Sequence, residues 1–128
     1  MNLTPEDEAL SAAMQVAMAP HGVQRVVIAD AREQGGARVA IGTLILTQEQ
    51  ESGGEQFSLP MGAIFAAAYR VASLMGAAED LDSVAVVVAS SEGNATALVG
   101  ARTADVRAFV EGSLNEADFV RLWVVRDF

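Results

Sequence analysis

The chain has 128 residues, 52% hydrophobic and 20% charged, and its 17 acids outnumber 8 bases for a net charge of -9. That length and composition suit one soluble domain spanning residues 1–128, with a core that needs neither disulfide nor metal. The negative surface excludes nucleic acid and anionic membranes as main partners, because both present phosphate charge. All eight bases are arginine and there is no cysteine, so a P-loop or Schiff-base lysine, thiol catalysis and thiolate metal sites are excluded as well.

With 24 alanines, 16 valines and only 5% aromatics, the core must be built from small and β-branched side chains that approach closely. A first helix is announced by Thr4 as N-cap, Pro5 at the first helical position and Glu6, Asp7 and Glu8 at the positive end of the dipole. Leu10, Ala13, Met14, Ala17 and Met18 then repeat along one face, until Pro20, His21 and Gly22 stop the helix. Val23 to Asp30 and Ala37 to Thr47 predict two strands of a hairpin around Gly35 and Gly36. The far half of the second strand is apolar on both faces, which places it inside the sheet.

Gln48 to Gln56 is polar and acidic and predicts an exposed loop, with one extra strand in Gln48 to Phe57 as the alternative. Ser58 or Leu59 before Pro60 predicts entry into the principal helix, Met61 to Ala78. This run is apolar nearly all round, so it needs cover on more than one side. Arg70 near its middle marks it as a buried helix of a soluble protein instead of a membrane span. An acidic break, Glu79-Asp80-Leu81-Asp82, precedes a buried strand, Ser83 to Ala89, and Ser90 to Asn94 turns it into a partner strand, Ala95 to Ala101. Thr103 is expected to cap a short helix ending at Gly112, and Phe119 to Val125 is expected to close the sheet as a strand.

The expected order is therefore α-β-β-α-β-β-α-β: an α+β fold with a mainly antiparallel sheet of about five strands and three helices. Up to about Arg102 this order resembles that of the Roadblock and profilin-like regulatory modules, and the resemblance is one of topology. It implies a small domain that dimerises and binds partners. Beyond Arg102 the expected helix at Thr103 stands where a Roadblock module has a further strand.

Candidate chemistry is sparse. Asp80 and Asp82, with Glu79 beside them, are weak metal candidates, because acids between a helix and a strand are usually a solvated loop. Asp30 and Glu33 could meet across the hairpin mouth, but Arg32 and Arg38 stand near enough to engage them as ion pairs. His21 is the sole histidine, and Ser58, Ser90, Ser91 and Ser113 lack a Gly-x-Ser-x-Gly elbow. Residues of interface type remain: Tyr69, Arg70, Arg121 and Trp123. The expectation is a non-catalytic, cytoplasmic interaction or regulatory module without a cofactor, a homodimer with a possible protein partner. The cytoplasmic part rests on the acidic start, Met1 to Glu8, which is the opposite of a cationic export signal. The alternative is a small metal-dependent enzyme using Asp30, Glu33, Asp80 or Asp82.

Overall fold

Thr4 accepts the Asp7 amide through its hydroxyl at 3.1 Å, and helix α1 runs Pro5–Met18 in the computed structural model, which describes residues 4–52 and 61–127. Leu10, Met14 and Met18 are fully buried along its inner stripe. A 3-10 turn over Ala19–His21 leads into β1, Val23–Asp30, which pairs antiparallel with β2, Arg38–Ile45. Gly42 on β2 is required by packing: a Cβ there would lie 2.9 Å from Cγ1 of Val23 and 3.3 Å from Cε of Met18. Its absence lets α1 close onto the hairpin.

Past β2 the chain departs from the expected loop. Thr47 and Gln50 form a reciprocal capping box, the Thr47 amide donating to the Gln50 side chain at 2.8 Å and the Gln50 amide to the Thr47 hydroxyl at 3.1 Å. A short helix α2, Gln48–Ser52, results, so the first residues of the alternative strand are helical. The remainder of that segment and the Ser58-Leu59-Pro60 helix entry lie outside the described residues. Helix α3 spans Met61–Leu74 and stops four residues short of Ala78, because Gly76 adopts a left-handed φ of 71° and the Ala77 amide returns to the Ala72 carbonyl at 2.8 Å. The helix crosses over to β3, Ser83–Ala89, which lies parallel to β2.

β3 then forms an antiparallel hairpin with β4, Ala95–Arg102. Helix α4, Thr103–Val110, starts with Thr103 as its first helical residue and Arg102 as the cap, one residue before the expected position. The expected strand from Phe119 to Val125 is corrected more deeply. Asn115 caps a helix α5, Glu116–Arg121, by accepting the Asp118 amide at 2.8 Å, and only Val124–Asp127 forms a strand, β5, against β4. The apolar alternation favours a strand locally. Phe119 wins the contest for the helix, being fully buried and stacked on Phe109 at 4.5 Å between ring centroids.

The architecture is α+β: five helices among the described residues and a five-stranded mixed sheet in the order β1-β2-β3-β4-β5. Three of the four strand pairs are antiparallel, as expected, and β2 with β3 is the parallel exception. Alternate strand residues Val23, Val26, Ile28, Ala40, Leu44, Val84, Val86, Val88 and Ala101 share one core with α1, α3, α4 and α5. Among the described residues no helix is long and apolar enough to cross a membrane.

Phe119→Ala should destabilise the protein by about 3–5 kcal/mol in denaturant unfolding, the loss typical of a buried phenylalanine. A strand at that position would leave Phe119 on a rim, and the loss would then be under about 1 kcal/mol.

Candidate interaction surface

One face of the sheet carries the helix layer, and strand periodicity sends every second residue to the other. The registers align that second face into rows. Val27, Ile41, Ala85, Gly100 and Val124 form one; Arg25, Thr43, Val87, Leu98 and Arg126 form the next; Ala29, Val39, Ser83 and Arg102 form a third. None of these side chains belongs to the cluster beneath the helices or packs against it, Ala85 being buried by its strand neighbours. Val27 is 37% exposed and Val124 54%, while Val39, Ile41, Val87 and Leu98 are half-buried only by one another and their strand neighbours. The surface is thus apolar in its centre and spans the whole width of the sheet, an arrangement that marks a place where something docks.

Its charge is one-sided. No Asp or Glu stands in any of the three rows, although acids outnumber bases two to one in the chain. Arg25 and Arg126 sit at opposite ends of one row and form no ion pair among the described residues. Arg102 is tied instead to Asp105, Nε to Oδ2 at 3.0 Å.

The buried charges lie on the covered face. Arg38, with its side chain 8% exposed, bonds through Nη2 to Oδ1 of Asp7 and lies 3.8 Å from Asp30. Its backbone amide donates to Oδ2 of Asp82 at 2.8 Å, and the Asp82 amide returns to the Arg38 carbonyl at 2.9 Å. Asp82 therefore pins the start of β3 to the start of β2, which accounts for its carboxylate without a metal. Asp30 is gripped by Arg32 through Nε at 3.0 Å and Nη2 at 2.7 Å, as the ion-pair expectation had it. Glu33 and Asp80 are exposed on turns. Among the described residues no group of three acids or histidines is placed to hold a metal.

The four residues of interface type do not converge. Tyr69 lines a cleft of about 680 Å³ beside α4, together with Ser73, Glu79, Asp82 and Arg107. The arginines there are engaged, Arg102 by Asp105 and Arg107 by Glu111, and the Thr103 hydroxyl is shut off from solvent. Arg70 points to solvent on α3, and Arg121 stands 4.0 Å from Asp118. Trp123 is half-buried edge-on to Phe65 at 5.4 Å and Phe119 at 5.5 Å, finishing the core. His21 is half-buried on its turn, Ser90 accepts the Asn94 amide at 3.2 Å, and the Ser113 hydroxyl donates to the Ala108 carbonyl at 3.1 Å. The chain matches no family model, no protein of known function and no solved structure. The open face escaped the sequence reading because its members come from five strands whose shared side is set only by register.

Two measurements check the buried charges. Arg38→Met should destabilise by about 3–5 kcal/mol, since it strands the Asp7 carboxylate in the interior, and adding Asp7→Leu should recover part of that loss. The side-chain hydrogen bond from Arg32, ahead of its backbone bond and charge, lowers the Asp30 pKa from 3.8 to about 2. A lowered pKa stabilises the fold fully above 3.8, and the contribution disappears as pH falls through about 2. Carboxyl-carbon NMR should place the Asp30 midpoint there, and Arg32→Ala should move it back up.

Proposed function

We propose that the protein is a non-catalytic cytoplasmic interaction module whose working surface is the uncovered face of its sheet. The observation that carries this reading is the coincidence, on one face, of an apolar centre spanning five strands and the absence of any acid from its three rows of described residues, in a chain of net charge -9. A surface so depleted of charge at the centre and edged with arginine has the composition of a protein interface.

Self-association is the second half of the proposal, and the structure alters its footing. The nearly all-apolar α3 needs cover on more than one side, and α1 and α4 both pack against it within the subunit, so no second copy is required there. The exposed large apolar side chains left on that layer, Val16, Leu74, Met75, Val120 and Leu122, divide among α1, the end of α3 and the α5 segment. A dimer would therefore be sought on the open face, where uncovered apolar area is continuous.

A photo-crosslinking amino acid placed at Leu98 on the open face, and separately at Leu74 on α3, tests the surface directly. Adducts in cells are expected from position 98 and not from 74, and an adduct of twice the monomer mass would identify the dimer. The reverse pattern would move the working surface to the helices. Calorimetric titration with magnesium and manganese tests the metal-enzyme alternative: tight stoichiometric binding lost in Asp82→Asn or Asp80→Asn would replace the present reading.

A further inference from the structure

The chemistry of the open face selects its occupant, and the selection rests on reading that face as a docking surface. We propose that the occupant is an acidic amphipathic helix of another protein, its apolar stripe seated over Ala85 and Gly100 and its flanking carboxylates reaching Arg25 and Arg126.

Charge supplies the first argument. The two edge arginines have no partner among the described residues and no acid beside them on that face. A second copy of the chain does not supply one. If two open faces pack together, the edge arginines of each copy meet a face that carries arginines and no acid in its three rows. Like charges would then be desolvated together with no counter-charge, which suppresses the pairing. A partner with carboxylates at both margins satisfies them.

Gly100 supplies the second. A glycine inside a strand weakens it and often marks a place where another backbone comes close. Gly42 is explained by the chain's own packing, but Gly100 is not: a Cβ there would meet nothing nearer than Ala85 Cβ and the Val84 carbonyl oxygen, both at 3.7 Å, an ordinary contact. Its φ is not left-handed either. With Ala85 beside it, Gly100 lowers the middle of the row between Ile41 and Val124 into a shallow trough. The trough faces outward.

Width supplies the third. Arg25 and Arg126 lie four strand spacings apart in one row, or about 19 Å. A single helix with side chains is about 10–12 Å across, so seated between β3 and β4 it leaves roughly 6 Å to the β1 arginine and roughly 2 Å to the β5 arginine for the guanidinium arms to span. One helix along the trough therefore presents its flanks to both arginines at once.

A displayed library of helical segments about 14 residues long, with a fixed leucine and alanine stripe and flanks randomised among Glu, Gln, Ser and Lys, tests the assignment. Selection runs on the immobilised full chain with Gly100→Ile as the counter-screen. That variant fills the trough with a strand-favouring side chain and should leave the circular dichroism unchanged and Tm equal or higher. Glutamate should be enriched at both flanks, and binding should fall at least about tenfold on Gly100→Ile and on the Arg25→Glu, Arg126→Glu double variant. The affinity should also drop with added salt. Enriched segments with neutral or basic flanks that still lose binding on Gly100→Ile would overturn the acidic occupant and leave the docking face standing. No enrichment above the Gly100→Ile counter-screen would overturn both. A dimer in light scattering that Gly100→Ile dissociates would name the second copy instead, and flotation with phosphatidylserine vesicles would name a membrane; either result overturns the proposal.

Discussion

The parallel pairing of β2 with β3 is the constraint on which the rest of this structure depends. An antiparallel partner can be reached by a tight turn, but a parallel one requires the chain to travel back along the sheet, usually as a helix. Here α3 makes that return, and it can lie on only one face. Once α3 is laid down, α1 and α4 pack at its flanks, and the arrangement has a helix layer on one side only. The Arg38 and Asp82 backbone and side-chain bonds hold the two strands in register at the point where the pairing begins, Val39 opposite Ser83. The open face is a consequence of having a single crossover.

That asymmetry sorts the charges. On the covered face Arg38 is buried with Asp7 and near Asp30, so its cost of desolvation is offset locally by a partner from a different element. Elsewhere Arg102, Arg107 and Arg121 find acids within three or four residues of their own chain. Among the described residues Arg25, Arg70 and Arg126 form no ion pair, and of these three only Arg25 and Arg126 lie at the two edges of the apolar surface, Asp127 alternating to the other side of its strand. The functional reading comes from that contrast between paired and unpaired cations, and from a glycine the fold does not need.

Much of the secondary structure was legible. The Thr4 cap, the hairpin glycines and the valine run from Val84 to Val88 each act through neighbours within a few residues, so their effect can be read in order along the chain. The Thr47 and Gln50 capping box is legible too, but it sits at the head of a polar, glycine-bearing stretch whose composition reads as loop. Phe119 was not. Its apolar neighbours alternate in the manner of a strand, and what makes it helical is a space between Phe65 and Phe109 that exists only once α3 and α4 are in place. Tyr69, Arg70, Arg121 and Trp123 were chosen by residue type, and type alone does not say that Trp123 is absorbed by the same aromatic cluster.

By itself the sequence determined the α+β class, the two hairpins, the central apolar helix and the chemistry that is impossible without lysine or cysteine, because composition and short-range periodicity act locally. Only the tertiary structure decided that β2 and β3 run parallel, that α1 and α4 cover the principal helix, and that Arg25, Gly100 and Arg126 share one side of a sheet. Those residues come from the first, fourth and fifth strands. A shift of one residue in any register would turn a strand's outward side chains into the core, so the surface is a property of the pairing and has no local signature to read.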